Sequence, residues 1–181
     1  MTRVIIDRTL EFSFPANWKY SVYDETDWQN EFKRIQGICS VDLILLDPDK
    51  KTLYLIEAKD YEKVPENEED ECKARTKVNG LPQKFSQKAA GTIAGLTGAQ
   101  MCVKEDIRDF YNALLDTEYT KHFILFLELG RLANDRGGTG KTMLMNLGIR
   151  TKNSLMPICS EKGVFNIETL PIAYGWTVAR I

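Results

Sequence analysis

Apolar and polar positions alternate loosely through residues 3–23 (VIIDRTLEFSF, then WKYSVY), and the run is rich in aromatic and β-branched side chains. Strand side chains point alternately to opposite faces, so this pattern predicts one or two strands, broken at Pro15-Ala16-Asn17. The period then changes. In TDWQNEFKRIQG, Trp28, Phe32 and Ile35 recur at helical spacing, Thr26 or Asp27 stands where a cap belongs, and Gly37 is the stop. This predicts a helix over about 27–36. Next, SVDLILLDPDKKTLYLIEAKDY places two β-rich runs, 41–47 and 52–59, on either side of Asp47-Pro48-Asp49-Lys50-Lys51. Two such runs joined by a short turn predict a hairpin.

Residues 60–71 break the pattern, with seven acids against one lysine and no apolar period. A solvated loop is expected there. A helix is then predicted from Pro82, a residue that suits a first turn, to about residue 102. Ala89, Ala90, Gly91, Ala94, Gly95 and Gly98 crowd this segment. Each glycine costs a helix roughly 1 kcal/mol relative to alanine, so their presence implies close packing on a sheet. A second helix over about 104–115 and a strand over 122–129 follow. From residue 130 onward the reading is a glycine-rich turn and two or three short strands. Strands and helices alternate, which predicts an α/β fold.

Composition adds limits. A chain of 181 residues, 43% hydrophobic and 28% charged, suits one domain spanning 1–181. The net charge of −2 supplies no global field for nucleic acid, so any such contact must be local. Cysteines stand at 39, 72, 102 and 159 without a CxxC pair, and His122 is the single histidine. Zinc ligation and a Ser-His-Asp or Cys-His mechanism therefore lack partners at usable spacing. Reduced thiols, no leader pattern and no long apolar run lead us to expect a cytoplasmic protein that does not enter a membrane.

The hairpin carries the chemistry. Pairing Asp47 with Thr52 across the turn puts Asp42 opposite Glu57, with Cβ atoms roughly 4.5–5.5 Å apart. By alternation Asp42, Ile44 and Leu46 share a face with Leu53, Leu55, Glu57 and Lys59. Two opposed carboxylates destabilise a sheet unless a cation lies between them. Hard oxygens on two sides suit Mg²⁺, which keeps waters and binds phosphate oxygens. Lys59 on the same face is placed to orient a water, lower its pKa or neutralise a pentavalent phosphate. The plain alternative is a hairpin end closed by a Glu57–Lys59 salt bridge.

Asp42 followed by Glu57-Ala58-Lys59 on the next strand resembles the D…(D/E)xK signature of the PD-(D/E)XK, restriction-endonuclease-like nucleases. The resemblance covers about residues 26–130, with 131–181 as an extension of the same domain. It implies a sandwich built on a central mixed β-sheet flanked by helices. It also implies Mg²⁺-dependent hydrolysis of DNA phosphodiester bonds, with Mn²⁺ as a substitute. Asp42, Glu57, the Ala58 carbonyl and Glu31 on the first helix are the implied metal ligands. Lys59 and a helix residue, Gln87 or Lys88 (with Gln83 and Lys84 one turn earlier), are the implied catalytic and substrate-steadying groups. Val41 stands where the family has proline, and a third strand between Lys59 and residue 82 is not evident.

From the residues alone, Lys73, Arg75, Lys77, Lys84 and Lys88 form a candidate phosphate-contacting patch. Double-strand cleavage with one centre per chain commonly calls for a homodimer. The alternative to an enzyme is a degenerate copy of the fold kept as a nucleic-acid-binding or assembly module. Arg136–Thr142 (RGGTGKT) resembles a phosphate-binding loop, but Asp135 stands where that pattern needs glycine. A glycine-rich connection between strands is the expectation, without a nucleotide cofactor.

Overall fold

In a computed structural model the chain is described except at residues 63–67, 134–139 and 159–160, and except for the side chains of residues 68, 131, 133 and 140–142. The N-terminal alternation resolves into three strands: β1 (Thr2–Ile6), β2 (Leu10–Phe14) and β3 (Lys19–Val22). The break at residues 15–17 falls between β2 and β3, and a further turn at Asp7 and Arg8, both at positive φ, separates β1 from β2.

Helix α1 (Asp27–Phe32) starts where expected, the Thr26 hydroxyl accepting from the Gln29 amide at 3.2 Å. It ends earlier than expected, because Ile35 is 55% exposed and contributes no packing to extend it. The hairpin follows as β4 (Leu43–Asp47) and β5 (Thr52–Asp60), with Asp47 opposite Thr52 and Leu43 opposite Ile56. Asp47 Oδ1 closes the turn by accepting from the amides of Asp49 and Lys50.

Two expectations are overturned. The stretch 68–71 is not loop, and the helix does not begin at Pro82. Helix α2 runs from Glu68 to Met101, 34 residues with Pro82 inside it. The acids that suggested a loop sit one turn before bases: Glu69 pairs with Lys73 at 2.5 Å and Glu71 with Arg75 at 2.9 Å. Such i,i+4 pairs, with negative charge at the positive end of the helix, stabilise it. Val78, Leu81 and Phe85 continue the buried stripe through Pro82, so tertiary packing offsets the hydrogen bond that proline removes.

Helix α3 (Arg108–Leu115) and strand β6 (Thr120–Glu128) agree with the reading. After them the reading of strands alone fails, because Gly140–Leu155 forms helix α4 before β7 (Glu161–Phe165) and β8 (Thr177–Arg180). Leu147, Thr151 and Leu155, four residues apart, are its buried stripe. Gly140, Lys141 and Thr142 open this helix rather than linking strands; residues 136–139 of RGGTGKT lie outside the described residues.

The central sheet has the order β3-β4-β5-β6-β7, antiparallel from β3 to β5 and parallel from β5 to β7. Its missing antiparallel neighbour thus comes from β3, ahead of α1. Ile44, Leu46, Leu53, Leu55, Phe123, Leu125 and Leu127 face one core with residues of α2, α3 and α4. On the opposite face Leu43, Leu45, Tyr54, Ile56, Ile124 and Phe126 pack against Phe12, Trp176 and Val178. Phe12 and Val178 belong to a second, antiparallel sheet, β1-β2-β8, and Trp176 lies just before its strand β8. The architecture is therefore α/β with a mixed central sheet. Among the described residues its α-helices pack on one face and the second sheet covers the other, where a sheet flanked by helices was expected. Among the described residues no helix is long and apolar enough to cross a membrane.

A candidate active site at the mouth of the hairpin

The register that forms the hairpin also places its charges. Asp42 immediately precedes β4, beyond the last ladder pair Leu43–Ile56. Its amide donates to the Ile56 carbonyl at 3.1 Å, which holds it beside the end of β5 that carries Glu57. Glu57 and Lys59 lie on β5 at the end where its parallel neighbour β6 also finishes. Open α/β sheets bind ligands outside the carboxyl ends of such strands. All three side chains point to the helix face, as alternation requires.

Helix α2 lies close because of Gly91. A Cβ there would stand 2.0 Å from the Cys39 carbonyl oxygen. Gly95 and Gly98 perform the same service for Tyr23, Trp28 and Phe32. The small residues thus let α2 approach α1 and the segment before β4, not the sheet directly. Thr92 locks the contact: its hydroxyl accepts from the Val41 amide at 3.0 Å and donates to the Lys88 carbonyl at 2.8 Å.

This docking brings Lys88 into the site. Its ammonium lies 2.8 and 2.7 Å from the two Glu57 oxygens and 3.1 Å from Asp42 Oδ1. Lys59 Nζ reaches Asp42 Oδ2 at 3.2 Å, Glu57 Oε1 at 3.1 Å and the Ala58 carbonyl at 2.9 Å. The Ala58 amide donates to Asp42 Oδ2 at 2.9 Å. Two carboxylates and two ammonium groups therefore form one compact, half-closed cluster, with Glu57 2% exposed and Asp42 7%.

Electrostatics separates the two acids. Burial and the neighbouring charge of Asp42 push Glu57 up to about 7, against the pull of Lys59 and Lys88. Burial also acts to raise Asp42, but Lys59, Lys88 and the Ala58 amide together hold it below the ordinary carboxylate value. For both lysines burial works toward the neutral amine, and the two carboxylates overcome it and raise their pKa.

Other expected residues fall elsewhere. Glu31 is exposed and pairs with Lys104 at 3.6 Å, so it does not join Asp42. Gln87 is exposed and its side chain makes no hydrogen bond among the described residues. Lys73 and Arg75 are engaged by acids of their own helix, and at 1.5 Å rise per residue they sit roughly 20 Å up α2 from Lys88. Lys84 does line the site: with Lys59, Lys77, Lys88, Glu57 and Tyr61 it borders a cavity of about 190 Å³. Lys77, Lys84 and Lys88 follow at intervals of one helical turn or two, on one face of α2.

A second cavity of about 360 Å³ opens on the other side of Asp42 and Lys59, bordered by Asp24, Glu25 and Arg8. Asp24 is the acid the sequence reading missed. Burial first and then the charge of Asp42 raise its pKa, so the two carboxyl groups sense each other. Its position two residues ahead of the Thr26 cap was the only signal available. His122 stacks on Tyr54 with centroids 5.2 Å apart and meets Tyr174 at a tilt with centroids 5.1 Å apart, and burial lowers its pKa; it belongs to the aromatic packing.

Among the described residues no three His, Cys, Asp or Glu side chains gather as a metal-holding group. The donor set here is two carboxylates and a backbone carbonyl. That set fits Mg²⁺, which binds through one or two carboxylates and fills its remaining positions with water and phosphate oxygens. No family model, curated protein or solved structure matches this chain.

Proposed function

We propose that this protein is a Mg²⁺-dependent nuclease of the PD-(D/E)XK kind, with Mn²⁺ as a substitute, that hydrolyses DNA phosphodiester bonds. The observation that carries the reading is the convergence of Asp42, Glu57 and Lys59 at one end of a buried hairpin, beside an open cavity rimmed by lysines. A mixed central sheet with the order α1-β4-β5-α2-β6 along the chain supports the restriction-endonuclease-like assignment.

In this reading Asp42, Glu57 and the Ala58 carbonyl hold the cation. When bound, it would polarise the phosphodiester and make a water more acidic. Lys59 is kept protonated by Glu57 and Asp42, so it acts as a donor and not as a base. Its ammonium is placed to stabilise the negative charge that grows on the phosphate oxygens as water attacks phosphorus. The P–O ester bond then breaks to leave a phosphate monoester and a free hydroxyl. Lys84 and Lys88 steady the substrate from α2. Cutting both strands of a duplex would take a homodimer.

Purified protein assayed with Mg²⁺ or Mn²⁺ on supercoiled, linear and branched DNA tests the proposal. Activity that persists within a few-fold of the wild-type rate in Glu57→Gln or Lys59→Ala removes it. One observation favours a second reading: Lys88 already balances the carboxylates without a metal, as a degenerate copy serving as a binding or assembly module would require. Calorimetry showing no Mg²⁺ or Mn²⁺ uptake, with DNA still bound, would select that reading.

A further inference from the structure

The cluster at the hairpin mouth carries two positive and two negative side chains, so a divalent cation can enter only if an ammonium leaves. The two lysines are not equally free to do so. Lys59 belongs to the same strand as Glu57 and is also tied to the Ala58 carbonyl at 2.9 Å. Lys88 comes from the facing helix, and the hydrogen-bond partners of its ammonium are the two carboxylates alone among the described residues. Its ammonium bridges Asp42 and Glu57, the position a cation shared by those two acids would take.

An alternative place for that ammonium lies next to it. The cavity of about 190 Å³ bordered by Lys88 also meets Lys77 and Lys84, which have no ion-pair partner among the described residues. This contrasts with Lys73 and Arg75 on the same helix, each paired with an acid one turn back. Unpaired ammonium groups on one helix face at a concave opening suit the phosphates of a nucleic-acid backbone. An added lysine would be welcome there only once phosphate is present.

Resting on the nuclease reading above, we infer that Lys88 is a transferable counter-ion. It bridges Asp42 and Glu57 in the free protein and passes to a backbone phosphate of bound DNA when those carboxylates take up a divalent cation. Cation and DNA binding are then positively coupled, by the same factor whichever binds first.

The test is a calorimetric titration of Mn²⁺ into the wild type and into Lys88→Met, each with and without a nuclease-resistant phosphorothioate duplex, with the duplex alone as blank. Without DNA, Lys88→Met binds Mn²⁺ at least about tenfold tighter than the wild type, within the roughly 5–150-fold range of such couplings. Adding DNA tightens Mn²⁺ binding in the wild type by a similar factor and leaves the variant unchanged. Lys88→Gln repeats the comparison should the methionine variant fold poorly. Equal Mn²⁺ affinities in wild type and variant overturn the exchange and leave the nuclease reading standing. Wild-type binding that ignores DNA also overturns it. No Mn²⁺ uptake by the wild type, with or without DNA, removes both.

Discussion

The ammonium of Lys88 straddles the Glu57 carboxylate, 2.7 Å from one oxygen and 2.8 Å from the other, although the two residues come from different layers of the fold. The contact exists because α2 approaches the hairpin closely enough for a helix residue to neutralise a strand residue that is 2% exposed. Removing Lys88 leaves Lys59 against two buried carboxylates, which destabilises the site. The site is thus held together by the groups that would perform its chemistry.

Lys59→Ala tests the chemical role directly. Loss of an electrostatic donor at a reacting phosphate lowers the rate by about 10²–10³-fold. Initial rates on supercoiled DNA in Mg²⁺, compared with wild type at matched DNA affinity, measure this. A rate within a few-fold of wild type would place Lys59 outside the reaction.

The raised pKa of Glu57 predicts a pH dependence of stability in metal-free buffer containing a chelator. The folded group titrates at about 7, above its ordinary 4.5, so the folded protein holds the extra proton between those values. Its contribution is fully present below about 4.5 and is lost as pH rises through 7. Asp42 acts in the opposite sense: its lowered pKa stabilises the fold above its ordinary 3.8, and that contribution is lost as pH falls through the folded value. Urea unfolding across pH 4.5–8 should show stability declining, and Glu57→Gln should flatten the decline. A slope unchanged in that variant would assign the titration to another group.

Two glycines of α2 should respond oppositely to alanine. At Gly91 the new Cβ would meet backbone, with the Cys39 carbonyl oxygen at 2.0 Å, so Gly91→Ala is destabilising by about 1–3 kcal/mol. At Gly80 nothing lies within 4 Å, and Gly80→Ala should stabilise by about 0.5–1 kcal/mol through helix propensity. Thermal or urea midpoints decide it; equal effects at the two positions would contradict this docking of α2.

Thr92→Val keeps the shape and removes the acceptor for the buried Val41 amide. Leaving that donor unsatisfied costs about 1–3 kcal/mol. Because Val41 adjoins Asp42, the same variant should lose DNA cleavage more than a stability change alone explains. Cleavage assayed well below its melting temperature separates the two.

Glu31→Ala should be close to silent. Its pairing with the half-buried Lys104 is open to solvent on the Glu31 side, and such pairs contribute about 0–1 kcal/mol. Loss of activity in this variant would restore the place that the family resemblance implied for Glu31.

Much of the local structure was legible from the residues. The 47–52 turn dictates the register that runs from Asp47–Thr52 to Leu43–Ile56 and so brings Asp42 to the end of β5 that carries Glu57. Side-chain alternation has a strict period of two, and a one-residue slip would bury the wrong face. The Thr26 cap, the turn at residues 15–17 and strand β6 were similarly local. Glu69 and Glu71 misled because their partners Lys73 and Arg75 lie four residues on, a helix-only relationship that composition does not display. Glu31 and Gln87 were placed by analogy, and neither joins the cluster.

What the chain determines by itself is the pairing of near neighbours: the hairpin, its polar mouth, and the carboxylates that oppose each other there. Only the tertiary structure decides how that opposition is relieved. Lys88 is 31 residues from Glu57 and Asp24 is 18 from Asp42, separations at which no spacing rule links two side chains. The Lys88 contact depends on how closely α2 docks, which rests on Gly91 and Thr92 against the segment before β4. Asp24 is instead brought to Asp42 by the pairing of β3 with β4, where the Tyr23 amide donates to the Asp42 carbonyl. Periodicity reports which face of an element is buried. It does not report which element lies against that face, or at what distance, and the charge balance of this site depends on both.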